Sequence, residues 1–149
     1  MNAGLVIAAI GVSAWAYLLV GRGFFWLMRE RDDRDLPPEP TAWPSVTAVV
    51  PARNEADVIV QSIRSLLGQD YPGPFRVVLV DDNSEDGTAA AAAQAGRADR
   101  LTVLSGRPLA KGWTGKLWAV NQGVEAAGVD TPTYLWLTDA DIAHDPLTL

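Results

Sequence analysis

The chain has 149 residues, with 18 acidic side chains against 12 basic ones and a formal charge of −6. That balance argues against nucleic acid as a partner, because phosphate contacts supply most non-specific affinity. It contains no cysteine, which excludes disulfides and thiolate metal sites, and its length suits one ordinary domain plus a short appendage.

In chain order, the first predicted element is a membrane span. Ala3 to Val20 carries no charge and only Ser13 as a polar side chain, and about 20 such residues cross a hydrocarbon core. Phe24, Phe25 and Trp26 would then sit at the interface, making residues 1–28 an anchor with interfacial aromatics. Ala14-Trp15-Ala16 resembles a signal-peptide cleavage site. No Lys or Arg precedes the apolar run, however, and Tyr17-Leu18-Leu19-Val20 stays apolar beyond it, which favours the anchor. Arg22 is the only charged side chain in residues 1–28, giving +1 there and −7 in the remainder. With Arg29, Arg31 and Arg34 on the same side, the positive-inside rule predicts a single span in an inner or plasma membrane, with the domain that follows in the cytoplasm. Residues 29–44, charged and containing Pro37, Pro38, Pro40 and Pro44, read as a stiff linker.

From Ser45 to Leu149 strand-like and helix-like patterns alternate. Strands are expected at Ser45–Val50, Phe75–Val80, Leu101–Leu104 and Tyr134–Thr138, the last read as buried. Helices are expected at Glu55–Leu67, with Val58, Ile63 and Leu67 at helical spacing, and at Thr88–Ala95 and Lys116–Ala127. Apolar strands alternating with helices predict an α/β fold, a Rossmann-like parallel sheet with flanking helices, whose ligands bind at the carboxyl ends of the strands.

The acidic clusters fall on that edge. Asp139 and Asp141 follow the last strand, one residue apart, and two such carboxylates can grip a hard divalent cation. Asp81, Asp82 and Asp86 follow the second strand, so the carboxylates would repel one another without a cation. Asp86 or Thr88 also suits a helix cap, a role that needs neither Asp81 nor Asp82. Asp81 or Asp82 could accept a hydrogen bond from a base N–H. Asn54 and Asp57 fit a helix N-terminus, and Arg53 could hold a phosphate or carboxylate. Lys116 at the start of a helix could face a phosphate. Gly112-Trp113-Thr114-Gly115-Lys116 is not a Walker loop, since Ala110 and Leu117 occupy two required positions, and no dinucleotide-binding glycine fingerprint follows any strand. Trp118 reads as core, and His144, with no carboxylate partner in view, as a solvated loop residue.

Val50-Pro51-Ala52-Arg53-Asn54-Glu55, Val80–Thr88, Gly115-Lys116 with Ala119, Asn121 and Gly123, and Thr138-Asp139-Ala140-Asp141 together resemble the family 2 glycosyltransferases, whose nucleotide-sugar-binding fold is called GT-A. The stretch Pro108–Ala119 looks like the hopene-associated, HpnB-like subgroup. The resemblance implies that Asp82, with Asp81 as an alternative, meets the nucleobase, and that the loop containing Pro51, Ala52, Arg53 and Glu55 lines its pocket. Lys116 would lie near the nucleotide, and Asp139 and Asp141 would hold Mg²⁺ or Mn²⁺ against the diphosphate. It further implies a membrane-bound, inverting transferase with a nucleotide-sugar donor, a UDP-sugar favoured, and a lipid acceptor. The family's catalytic base would lie beyond Leu149, so the expectation is an N-terminal portion carrying the donor half-site. The competing expectations are a non-catalytic nucleotide-sugar-binding fragment and a nucleotidyltransferase.

Overall fold

The computed structural model describes residues 2–24, 27, 38, 40–95 and 99–149. The chain forms two compact units, Met1–Glu39 and Pro40–Leu149. In the first, α1 (Ala3–Ala16) continues into a π-helical turn over Tyr17–Gly21. Asn2 caps it, accepting the Gly4 N–H at 3.1 Å. By length and composition alone, Ala3–Gly21 is long and apolar enough to cross a membrane. The expectations for Phe25, Trp26 and most of the 29–44 linker lie outside the described residues.

The second unit is a four-stranded parallel sheet of order β3-β2-β1-β4. Its strands are β1 (Val46–Ala52), β2 (Phe75–Asp81), β3 (Leu101–Ser105) and β4 (Tyr134–Leu137). β1 is paired on both sides, with Val46 opposite Phe75 in β2 and Tyr134 in β4. The sheet has helices on both faces. On one, Val46, Ala48, Val50 and Ala52 pack with Ile59, Ile63 and Leu66 of α2 (Ile59–Leu67) and Ala92 of α3 (Thr88–Ala95). On the other, Val49, Val78 and Val80 meet Ala119 and Ala127 of α4 (Gly115–Ala127). Successive strand residues point to opposite faces, so a strand apolar at every position feeds both layers.

Three expectations are corrected. β4 is not buried: it is an edge strand, with Tyr134 61% and Leu137 55% exposed. The helix after β1 begins at Ile59 rather than Glu55, and its inward face is Ile59, Ile63 and Leu66, with Val58 outside it. Asn54 caps no helix. It sits at φ 55°, and its side-chain oxygen accepts the Glu85 N–H at 2.9 Å.

That bond belongs to a zipper between the loops following β1 and β2. Asn54 N–H donates to Ser84 Oγ (2.9 Å), Glu55 N–H to Thr88 Oγ1 (2.8 Å) and Ala56 N–H to an Asp86 carboxylate oxygen (3.0 Å). The other Asp86 oxygen accepts the Thr88 N–H at 3.0 Å and the Thr88 hydroxyl. Asp86 thus satisfies a donor at the start of α3 and ties that helix to the β1 loop.

Two outcomes follow from this packing. A Cβ on Gly123 would lie 2.4 Å from Val49 Cγ1, whereas one on Gly128 meets nothing within 4 Å. Overpacking a core typically costs about 1–3 kcal/mol, so Gly123→Val should lower stability by at least that much in denaturant titration, while Gly128→Ala leaves it unchanged or slightly raised. The Thr88 hydroxyl and then the Ala56 N–H hold the Asp86 carboxyl below its ordinary 3.8. A depressed carboxylate stabilises the fold above its unfolded value and loses that contribution as pH falls through its folded value. The Ala56 and Thr88 amide resonances should therefore shift together on acidification below 3.8, and Asp86→Ala should show the released positions already at neutral pH.

Candidate active site

From β1 the strands step outward through β2 to β3, and the chain then crosses to β4 on the far side of β1. The strand order reverses there, and such a switch point opens a crevice at the carboxyl edge. A cleft of about 300 Å³ occupies it. Pro51, Ala52, Arg53 and Glu55 line it from β1 and its loop, Asp82 from the end of β2, Gly115, Lys116 and Ala119 from α4, and Asp139, Ala140 and Asp141 from the end of β4.

Backbone pairing sets these positions. Ala52 lies opposite Asp81 in the β1–β2 register, and the Asp82 N–H continues the ladder to the Ala52 carbonyl at 2.8 Å. The Thr138 N–H likewise reaches the Val49 carbonyl at 3.2 Å, delivering Asp139 directly beyond the sheet. Two close approaches hold Asp82 from behind. A Cβ on Gly106 would meet the Asp81 carbonyl oxygen at 2.9 Å, and one on Gly115 would meet Asp82 Oδ2 at 2.9 Å. A side chain at Gly106 would force the Asp81–Asp82 backbone to shift, whereas one at Gly115 would meet only the flexible end of the Asp82 side chain.

The expected crowd of carboxylates is divided. Asp86 is committed to the loop zipper, and the Asp81 carboxylate accepts the Ser84 N–H at 3.3 Å; neither lines the cleft. Asp82, Asp139 and Asp141 remain, with Glu55, facing two cations. Arg53 lies 3.7 Å from Asp82, and Lys116 pairs with Asp139 at 2.7 Å. Mutual repulsion is thus relieved in part by the chain's own side chains. The Lys116 and Asp139 side chains are 63% and 49% exposed, so their pair contributes only about 0–1 kcal/mol and exchanges partners cheaply.

No group of three or more His, Cys, Asp or Glu side chains gathers to hold a metal among the described residues. Asp139 and Asp141 supply hard oxygen donors and an incomplete coordination sphere. That fits Mg²⁺ or Mn²⁺ held by one or two carboxylates together with substrate phosphates, the usual arrangement for Mg²⁺, and not an all-protein cage.

Residues flanking the cleft differ from expectation in two places. His144 is half-buried rather than a free loop residue. Its ring packs edge-on against Trp136 at 4.6 Å, its Nε2 lies 2.9 Å from Thr138 Oγ1, and its backbone N–H donates to Ser65 Oγ. Burial pushes its pKa down. It braces the turn that carries Asp139 and Asp141. Trp118 is only partly buried. Its indole N–H donates to the Pro108 carbonyl at 3.0 Å, the Arg107 guanidinium lies 4.9 Å from its ring, and Trp113 packs against it at 5.4 Å. It pins the loop leading into α4. The sequence reading missed the zipper residues Ser84 and Thr88 as positioning groups. It also gave no separate role to Ala119, whose spacing of four from Gly115 puts it on the same helix face.

Residues 47–149 match the family described as glycosyl transferase family 2. A beta-monoglucosyldiacylglycerol synthase of Trichormus variabilis is 40% identical over 81 residues, 53% of this chain and 17% of that protein. An N-acetylglucosaminyltransferase of Neorhizobium galegae is 47% identical over 47 residues, 31% of this chain and 11% of that protein. Among solved structures, a mannosyltransferase from Pyrobaculum calidifontis in complex with GDP-Man and Mn²⁺ is similar with a TM-score of 0.64 and 32% identity, over 93% of this chain and 37% of that one. S. aureus TarS in complex with UDP is similar with a TM-score of 0.57 and 26% identity, over 70% of this chain and 29% of that one. The matched region is well under half of each of these proteins. With its parallel sheet, its cleft at the switch point and the match over residues 47–149, the chain belongs to glycosyl transferase family 2.

Proposed function

We propose that this chain carries the donor half-site of a metal-dependent glycosyltransferase that uses a nucleotide sugar and works at a membrane. The observation that carries the reading is the cleft itself, with Arg53 and Asp82 on one wall and Lys116, Asp139 and Asp141 on the other. Asp82, whose backbone N–H is tied to the Ala52 carbonyl, is the acceptor for a base N–H. Arg53 and Lys116 are the cations at hand for phosphate oxygens. Asp139 and Asp141 would hold the divalent cation, which when bound supplies Lewis-acid neutralisation of the leaving diphosphate. Lys116 releases Asp139 as the donor enters and turns its ammonium to phosphate, a cheap exchange for so exposed a pair.

Residues 1–28 act as the anchor, 29–44 as the linker and 45–149 as the donor-binding domain on the cytoplasmic side. The apolar helix and the relative named as a glycolipid synthase support a lipid acceptor, and the Pro108–Ala119 segment supports a place in the HpnB-like subgroup. UDP and GDP-Man in the similar structures make UDP-sugars and GDP-mannose the donors to compare.

Calorimetric titration of those donors with Mn²⁺ should show binding that Asp139→Asn and Asp141→Asn each weaken at least about tenfold, the loss of one charge-assisted contact. Metal-dependent binding that persists undiminished in both variants would overturn the metal assignment, and preference for a nucleoside triphosphate would point to a nucleotidyltransferase. Lys116→Met should split the two ligands. Donor affinity should fall by roughly 10- to 100-fold with the lost phosphate contact, while Mn²⁺ alone binds more tightly because Asp139 no longer has a competing partner.

A further inference from the structure

The overall charge of −6 conceals a local reversal. Residues 100–124 contain Arg100, Arg107, Lys111 and Lys116 and no acidic side chain, whereas the remainder of residues 40–149 has thirteen acids against four cations. The middle of this basic stretch is a loop and the first turn of α4, and it exposes large apolar side chains: Leu109 is 59% exposed, Trp113 43% and Leu117 58%. The loop is not loose. Trp118 fastens it through the Pro108 carbonyl, the Trp113 N–H donates to the Ala110 carbonyl at 3.2 Å, and the Trp113 ring rests on Trp118. The chain therefore spends hydrogen bonds and ring contacts to present leucines and a tryptophan to the outside, against the ordinary tendency to bury them. Arg107 is engaged by Glu125 and Lys116 by Asp139, while Lys111, between Leu109 and Trp113, forms no ion pair among the described residues.

We infer that the loop of residues 107–117 docks on an anionic lipid surface, with Leu109, Trp113 and Leu117 entering the interface and Lys111 meeting lipid headgroups. Tryptophan is enriched where an apolar ring must sit beside polar headgroups, and a basic, aromatic-apolar segment is the composition that lies in an interface without spanning it. Negative lipid headgroups complement this segment and would repel the rest of the acidic domain, so the charge pattern also selects which face turns to the bilayer. Lys116, which lines the cleft, belongs to the same stretch, so docking here would bring the donor site close to lipid-borne acceptors. The inference rests on the membrane reading given above and deepens it.

The absence of cysteine makes a single reporter possible. The full chain carrying Leu109→Cys, labelled with an environment-sensitive fluorophore, is mixed with vesicles of phosphatidylcholine alone or with phosphatidylglycerol; Val129→Cys, at an 83% exposed apolar position, is the comparison. The expected result is a blue-shifted emission at position 109, quenched by bromine-labelled acyl chains in anionic vesicles. Position 129 should show neither effect, and Lys111→Glu should remove most of the shift at 109. Flotation of the same samples reports the N-terminal helix separately. Chains that float with position 109 still in water would overturn the docking while leaving the anchor intact. Chains that neither float nor shift would remove both. An emission at 109 already blue-shifted without vesicles would mean that protein covers the loop, and that too would overturn the docking.

Discussion

The central strand governs this domain. β1 has a parallel partner on each side, so almost every backbone group it carries is committed to a ladder, and both of its faces are covered by helices. A buried backbone polar group without a partner costs free energy comparable to a lost hydrogen bond, and this fixes β1 in register with β2 and β4 together. Its register also fixes where the chain emerges: Pro51, Ala52 and Arg53 on one side, and Asp82 and Asp139 carried by its two neighbours. The cleft is what remains where three strands end and their continuations diverge.

The electrostatics of that cleft are balanced so that it can change state. Four carboxylates and two cations line it, and two of the carboxylates are paired with cations: Asp139 with Lys116 across an exposed contact, and the more buried Asp82 with Arg53 at 3.7 Å. A buried pair would be costly to separate, because a lone charge would remain in low dielectric. Exposed pairs contribute little and release their partners readily. The firmly bonded part of the site lies elsewhere, in the β1–β2 ladder behind Asp82 and in the loop zipper, where each amide has a defined acceptor. Firm backbone and exchangeable side-chain charges divide the work of shaping a pocket and of admitting an anionic ligand with its counter-cation.

Much of this was legible from residues alone. The strands and helices announce themselves through apolar runs and through Gly, Pro and Asp punctuation, and the cleft contains Pro51, Ala52, Arg53, Glu55, Asp82, Lys116, Asp139 and Asp141. The errors have one origin, interactions distant in sequence. Asn54 looks like a cap, but Glu85, thirty-one residues away, supplies its partner. Asp81 looks like a site acid because it adjoins Asp82, yet the Ser84 N–H uses its oxygen first. His144 lacks a carboxylate nearby in sequence and finds Trp136 and Thr138 in space. Tyr134–Leu137 has the same apolar composition whether central or lateral, and only the strand order tells which.

That last point bears on how the domain behaves as a material. Among the described residues no strand pairs with the outer side of β4, so its outward backbone groups form an open hydrogen-bonding rail beside exposed Tyr134, Leu135 and Leu137. No lysine, proline or bulge within these four residues blunts it, unlike most natural sheet edges. Any extended segment of suitable register could extend the sheet there, and it would run directly alongside the turn bearing Asp139. The edge is therefore the shortest mechanical route by which an added strand could stiffen the acidic wall of the cleft.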